Sequence, residues 1–145
     1  MTSEQLDALL REGAIERAPG DRTAAGRDLA AAEAHLVSLE SRSTEDPTGA
    51  FTLGYDAMRK AIVAHMRAKG FRARTRGGAH YQTGRYALAA LDGLGVTEHL
   101  RAFEDLRRLR NKSEYDAVLV DEPDALEAAV HARAVVEAVR RELGE

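Results

Sequence analysis

The chain has 145 residues, enough for one domain that buries roughly two thirds of its unfolded surface, and carries a net charge of −3. That charge argues against indiscriminate coating of DNA but leaves room for a local basic patch. With no cysteine, disulfides and thiolate metal sites are excluded, and no apolar run nears the roughly 20 residues of a membrane span.

The chain opens without a basic region followed by an apolar run, so a cytoplasmic protein with no secretory signal is expected. Alanine, leucine, arginine and glutamate outweigh the aromatics, and there are only three prolines, a bias toward helix. Ser3 is placed to cap a short helix running to Glu12, with Leu6, Leu9 and Leu10 on one face and Gly13 as its stop. Residues 15–21, containing Pro19-Gly20, break that helix, so 1–20 read as an N-terminal helix and linker and 21–145 as a bundle. A longer helix follows from Arg22 to about Ser41, with Ala25, Leu29, Ala32, Leu36 and Leu39 on one face. Residues 41–47 form a polar loop.

The third helix has the clearest pattern. Phe51, Tyr55, Met58, Ile62, Met66 and Lys69 recur every three or four residues, Ala57, Ala61, Ala64 and Ala68 make a narrower flank, and Gly70 ends it. This is the expected central helix. His65 lies near its stripe and reads as a packing residue, because no second ligand stands four residues away.

The next stretch changes character. Arg67, Lys69, Arg72, Arg74 and Arg76 place five cations in ten residues with no acid among them, ahead of Gly77-Gly78. Arginines in a glycine-rich loop can bind phosphate oxygens in pairs, although a plain solvated loop fits the same residues. A fourth helix runs from Ala79 to about Leu94. The fifth runs from Val96-Thr97, with Thr97 as cap, to Arg110 or slightly beyond. Residues 116–121 read as an extended connection, and the last helix starts at Asp121-Glu122-Pro123-Asp124 with Ala129, Ala132, Val136, Val139 and Leu143 buried. The expected class is all-α: a single-domain, up-and-down antiparallel bundle of four to six helices with no sheet.

Counting back from Arg110, Phe103, Leu100 and Val96 recur at helical spacing, which puts Arg110 on the apolar stripe of its own helix. A guanidinium there needs partners, and Asn111, Ser113, Glu114, Tyr115 and Asp116 follow at once. The plainer reading is a cation closing the last helical turn. Familiar catalytic patterns are missing: there is no His-Glu-x-x-His, no repeated Glu-x-x-His, no Gly-x-Ser-x-Gly and no phosphate-binding P-loop. The helices flanking the basic loop are too long for a helix-turn-helix. Neither metal nor cofactor is expected. Of the five scattered histidines, His80 stands out, since it follows the arginine loop and opens a helix.

Three segments occur in order: Tyr55-Asp56-Ala57-Met58-Arg59-Lys60-Ala61 on a helix ending Lys69-Gly70-Phe71-Arg72, a loop leading to Gly77-Gly78-Ala79-His80, and Leu106-Arg107-Arg108-Leu109-Arg110-Asn111-Lys112-Ser113-Glu114-Tyr115-Asp116. Together they resemble the small stand-alone bacterial branch of HEPN domains (higher eukaryotes and prokaryotes nucleotide-binding), over about Gly49 to Leu143. The resemblance implies an up-and-down bundle that forms a two-fold dimer, with the arginine motif in a cleft at the interface. Many such domains are metal-independent ribonucleases, often toxins encoded beside a small nucleotidyltransferase antitoxin. Catalytic members carry arginine, a polar residue and then histidine after four to six intervening residues. Here Arg110 and Asn111 match, but Tyr115 holds the four-intervening position and no histidine follows until His131. Tyrosine, with a reference pKa near 10, is a poor proton shuttle at neutral pH.

The resemblance and the residues together lead to a nucleotide- or RNA-binding module with little or no catalysis, working with a partner such as a nucleotidyltransferase in a toxin–antitoxin or defence-type system. The expected contacts are Arg72, Arg74, Arg76, His80, Arg110 and Lys112; candidate catalytic residues, were there turnover, are Arg110, Asn111, Tyr115 and His80. Two alternatives stand beside this reading: an active metal-independent endoribonuclease toxin, and a dimeric structural adaptor. A homodimer is expected, with no membrane association.

Overall fold

The computed structural model describes residues 3–75 and 78–144. Among these the chain forms six α-helices: α1 Ser3–Glu12, α2 Arg22–Glu40, α3 Pro47–Lys69, α4 Ala79–Ala90, α5 Thr97–Tyr115 and α6 Glu122–Leu143. The Ser3 cap lies outside the described side chains. Three helix starts are built from local chemistry. Asp21 accepts from the Ala24 amide (2.9 Å), Asp46 from Gly49 (3.0 Å) and Asp121 from Asp124 (2.9 Å), with a proline in the first turn of α3 and of α6.

The 23 residues of α3, about 35 Å long at 1.5 Å per residue, form the axis of the core. Phe51, Tyr55, Met58, Ile62 and Met66 are all buried, as are Ala57, Ala61 and Ala64 on the narrower flank. Small residues let neighbouring helices close in: a side chain on Gly54 would already touch the Ala128 backbone of α6 at 3.6 Å. Both α2 and α6 pack extensively along α3.

The expectation of no sheet is corrected. Ile15–Arg17 (β1) and Phe71–Ala73 (β2) pair antiparallel, with Ile15 opposite Ala73, Glu16 opposite Arg72 and Arg17 opposite Phe71. The ribbon continues through Ala18 N–H to Gly70 O (2.9 Å) and Arg74 N–H to Ala14 O (3.1 Å). Ala14 and Ile15 join the same core as α1 and the later helices, so 15–17 is part of the packed structure and no linker. Strands of three residues, with Ile15 the apolar anchor of one and Phe71 and Ala73 those of the other, leave almost no periodicity in sequence; the pairing across more than fifty residues creates them.

The helix senses are also mixed. Arg67 with Asp28 and Lys60 with His35 pair in opposite order, making α2–α3 an antiparallel hairpin. Gly54 with Ala128 and Lys69 with Glu142 advance together, so α3 and α6 run the same way, as do α3 and α4 through Tyr55–His80 and His65–Tyr86. The up-and-down expectation fails at these two pairings: α3 ends at Lys69, yet α4 begins at Ala79 with His80 beside Tyr55, in the first half of α3. Two boundaries differ as well. The fourth helix stops at Ala90, ahead of a 3₁₀ turn at Asp92–Leu94. Thr97 sits inside α5, whose cap is Val96, and its hydroxyl donates to the Asp92 carbonyl (3.2 Å).

Candidate functional site

Leu100, Phe103 and Leu106 bury the inner face of α5, and the same face delivers Arg110 inward. Its side chain is only 20% exposed. The guanidinium carbon lies 5.9 Å from the centre of the Tyr55 ring, within range of a cation–π contact. Its Nη2 stands 3.8 Å from Glu114, too far for a good hydrogen bond, and its Nε is buried with no partner. On α3, one turn beyond Tyr55, Arg59 repeats the pattern: Nε is buried and unpartnered, with Asp56 3.9 Å away.

Tyr55 joins the two sides. Its ring stacks on Phe103 (centroids 5.1 Å, planes 28° apart), and its hydroxyl is 3.2 Å from Nδ1 of His80, the second residue of α4. Burial pushes the Tyr55 phenol well above its usual range. Burial, followed by the charges of Arg59 and Arg110, holds His80 below its ordinary value, with Asp56 acting the other way. Both groups are therefore neutral at pH 7. A buried phenol that keeps its proton donates it best to an unprotonated Nδ1, which leaves the imidazole hydrogen on Nε2.

His80 and Arg59 also line a cleft of about 450 Å³ between α3, the ribbon and the start of α4. Its other cations are already engaged: Arg67 is 2.7 Å from Asp28, and Arg72 is 2.6 Å from Glu16. Nearby, Arg107 is held by both oxygens of Glu104 (2.7 and 2.8 Å) and lies over Tyr81. The donors left for a ligand at the centre are thus the Nε atoms of Arg59 and Arg110 and the Nε2–H of His80.

Sequence reasoning placed Arg110 and His80, and the fold brings them to one phenol. Tyr115, by contrast, ends α5 with 77% of its surface exposed, and no hydrogen bond or ring contact among the described residues ties it to Arg110. Of the polar run after Arg110, only Glu114 approaches the guanidinium. Asn111 is half-buried, Lys112 and Arg74 are exposed, and Arg76 lies outside the described residues. Arg59, Tyr55 and Arg107 were not anticipated as site residues. The available signal was spacing, since Tyr55 and Arg59 stand four apart on α3, and Phe103, Arg107 and Arg110 share one side of α5.

The fold and the cluster define a mainly α-helical protein with a small antiparallel ribbon and a buried phenol paired with a half-buried imidazole, flanked by two arginines whose Nε atoms have no hydrogen-bond partner. No helix among the described residues is long and apolar enough to cross a membrane. No protein-family model, no curated protein and no solved structure matches the chain.

Proposed function

We propose that the protein binds phosphate groups of RNA or a nucleotide at Arg59, Arg110 and His80, as a HEPN-like helical module with little or no ribonuclease turnover. The observation that carries this reading is the pair of buried, unpartnered Nε atoms on Arg59 and Arg110. A buried N–H without an acceptor is costly, and an anionic oxygen removes that cost through charge-assisted hydrogen bonds. His80 adds an N–H donor and the amide-rich start of α4. In this reading the module works as a homodimer with a nucleotidyltransferase-type partner, in a toxin–antitoxin or defence-type setting. Exposed Tyr81 and Leu88 on α4 offer apolar surface for such contacts.

The tautomer supports binding over catalysis. With Nδ1 accepting from Tyr55, Nε2 is a donor suited to a phosphate oxygen and has no lone pair for a 2′-hydroxyl proton. One observation favours the ribonuclease alternative: His80 is neutral, oriented by Tyr55 and close to Arg110, so the opposite tautomer supplies a base. Incubating metal-free protein with structured and single-stranded RNA separates the two. Retention of RNA without cleavage is expected. Cleavage in chelator that disappears in His80→Gln and in Arg110→Ala establishes the ribonuclease and removes the non-catalytic reading.

A further inference from the structure

The cleft between α3, the ribbon and the start of α4 has two chemically different ends. Arg59 and His80, both of the phosphate site, line one end, and Asp21, the N-cap of α2, lines the other. The Asp21 amide donates to the Arg67 carbonyl (2.9 Å), and Arg67 follows Arg59 on α3 by about two turns, roughly 12 Å along the axis. Oδ1 of Asp21 accepts from the Ala24 amide (2.9 Å), while no hydrogen bond or ion pair among the described residues uses Oδ2. The other cations of the cleft are held by carboxylates of their own, Arg67 by Asp28 and Arg72 by Glu16. Between the two ends the wall is apolar: Val63 and Met66 come from α3, Phe71 and Ala73 from the ribbon.

We infer that the cleft holds one nucleotide whose base carries an exocyclic amino group, adenine or cytosine, with its phosphate at Arg59 and His80 and its amino group donating to Asp21. This rests on the phosphate reading above and adds the rest of the ligand. A carboxylate only accepts, so the group that faces Asp21 must donate. The amino groups of adenine and cytosine do so, whereas the carbonyl oxygens of hypoxanthine and uracil at those positions set acceptor against acceptor. A flat ring covers the apolar wall that a bare phosphate would leave in water, and a thioether such as that of Met66 packs well on aromatic rings. A cleft of about 450 Å³ is in the range of small-molecule sites. Charge also fixes the direction of entry, because a phosphate at the far end would face the Asp21 carboxylate. A free nucleotide and the last residue of an RNA strand with a terminal phosphate offer the same chemistry.

The test is calorimetry on the full-length chain with AMP against inosine monophosphate and CMP against UMP, pairs in which a carbonyl oxygen replaces the amino group. AMP and CMP are expected to bind at least about 10-fold more tightly than their partners, and adenosine and inorganic phosphate at least about 10-fold more weakly than AMP. Asp21→Asn keeps a good N-cap, and its amide presents either a donor or an acceptor, so this variant should bind AMP and inosine monophosphate within about 3-fold of each other. Arg59→Ala should weaken all four nucleotides alike. Displacement of AMP by a short RNA with a phosphorylated terminal adenylate identifies a strand end as the source; binding of AMP that this RNA does not displace identifies a free nucleotide. Equal affinity for AMP and inosine monophosphate in the unmodified chain, or a preference that survives in folded Asp21→Asn, overturns the base pocket. If RNA binding is then still lost in Arg59→Ala, the phosphate reading stands without it, whereas no binding of any phosphate compound removes both.

Discussion

Arg110 and Tyr115 stand five residues apart on one helix and meet different fates, and helical geometry is the reason. Arg110 continues the stripe of Leu100, Phe103 and Leu106 and is drawn against Tyr55, whereas the Tyr115 side chain leaves from the last turn into solvent. The inward placement of Arg110 was legible in the spacing of apolar residues. The partner that holds it was not, because Tyr55 reads as an ordinary core aromatic until the fold sets it between α4 and α5. Tyr115→Phe should therefore leave RNA affinity within about 2-fold, while Arg110→Ala lowers it at least about 10-fold, as expected for a charged hydrogen bond of roughly 1.5–3 kcal/mol. Arg110→Lys keeps the charge but loses the planar fork and should recover only part of the affinity. Fluorescence anisotropy with labelled RNA measures all three, and a Tyr115→Phe loss as large as that of Arg110→Ala would show that the exposed tyrosine, not the cluster, makes the contact.

His65 belongs to the same scale. It is buried on α3 with Nδ1 2.8 Å from the Tyr86 hydroxyl, and burial, aided by Lys69, holds it down at about 4 from an ordinary 6.5. Between those values the unfolded chain binds a proton that the folded chain refuses, so stability is full above pH 6.5 and falls as the pH drops toward 4. The loss is about 3 kcal/mol. His65→Gln retains a hydrogen-bonding group without the titration. Urea denaturation at pH 7 and pH 4.5 should show a smaller difference in this variant than in the unmodified chain; an equal difference would place the acid sensitivity elsewhere, with His80 and His35 the other histidines that burial shifts in the same direction.

At the scale of elements, the boundaries set by local chemistry were readable and those set by distant partners were not. Asp121 and Pro123 mark the start of α6 and Gly70 the end of α3, as expected, whereas the Asp46 cap and Pro47 that open α3 lie in what read as a polar loop. The ribbon escaped because Glu16 opposite Arg72 looks like any solvated pair until the strands are side by side. For the same reason the arginine segment looked like a free loop, although Arg72 is already paired. Gly70 is where the two kinds of constraint coincide. Its φ of 85° is left-handed, and an added Cβ would lie 2.9 Å from the Ala18 carbonyl that the ribbon brings across it. Gly70→Ala should cost about 1–3 kcal/mol, read as a lowered melting temperature, because both the backbone angle and the close approach oppose a side chain. A melting temperature unchanged from the parent would mean that the α3–β2 junction is looser than its geometry.

For the whole molecule, helical composition set the class, but chain sense depended on where α4 begins relative to α3, which no periodicity encodes. The N-terminus of α4, and with it His80, lies beside the first half of α3 rather than its far end. The exposed Tyr81 and Leu88 on α4 lead to a further expectation, that the chain is a homodimer at micromolar concentration. Sedimentation velocity should show a dimer that Leu88→Glu converts to monomer; a monomer across the micromolar range contradicts it.

Phosphate capture by Arg59 and Arg110 predicts a specific dependence on salt. Each phosphate contact that releases a condensed counterion contributes to the slope of log affinity against log salt, so removing contacts flattens the line as well as weakening the binding. RNA affinity should be measured from low to moderate salt for the parent, Arg59→Ala, Arg110→Ala and the double variant, with circular dichroism confirming each fold. The expected result is a steep decline for the parent and a slope smaller in magnitude by about 1 for each arginine removed. Parallel lines of equal slope in a folded double variant, or a parent affinity that ignores salt, would contradict a phosphate site at this cluster.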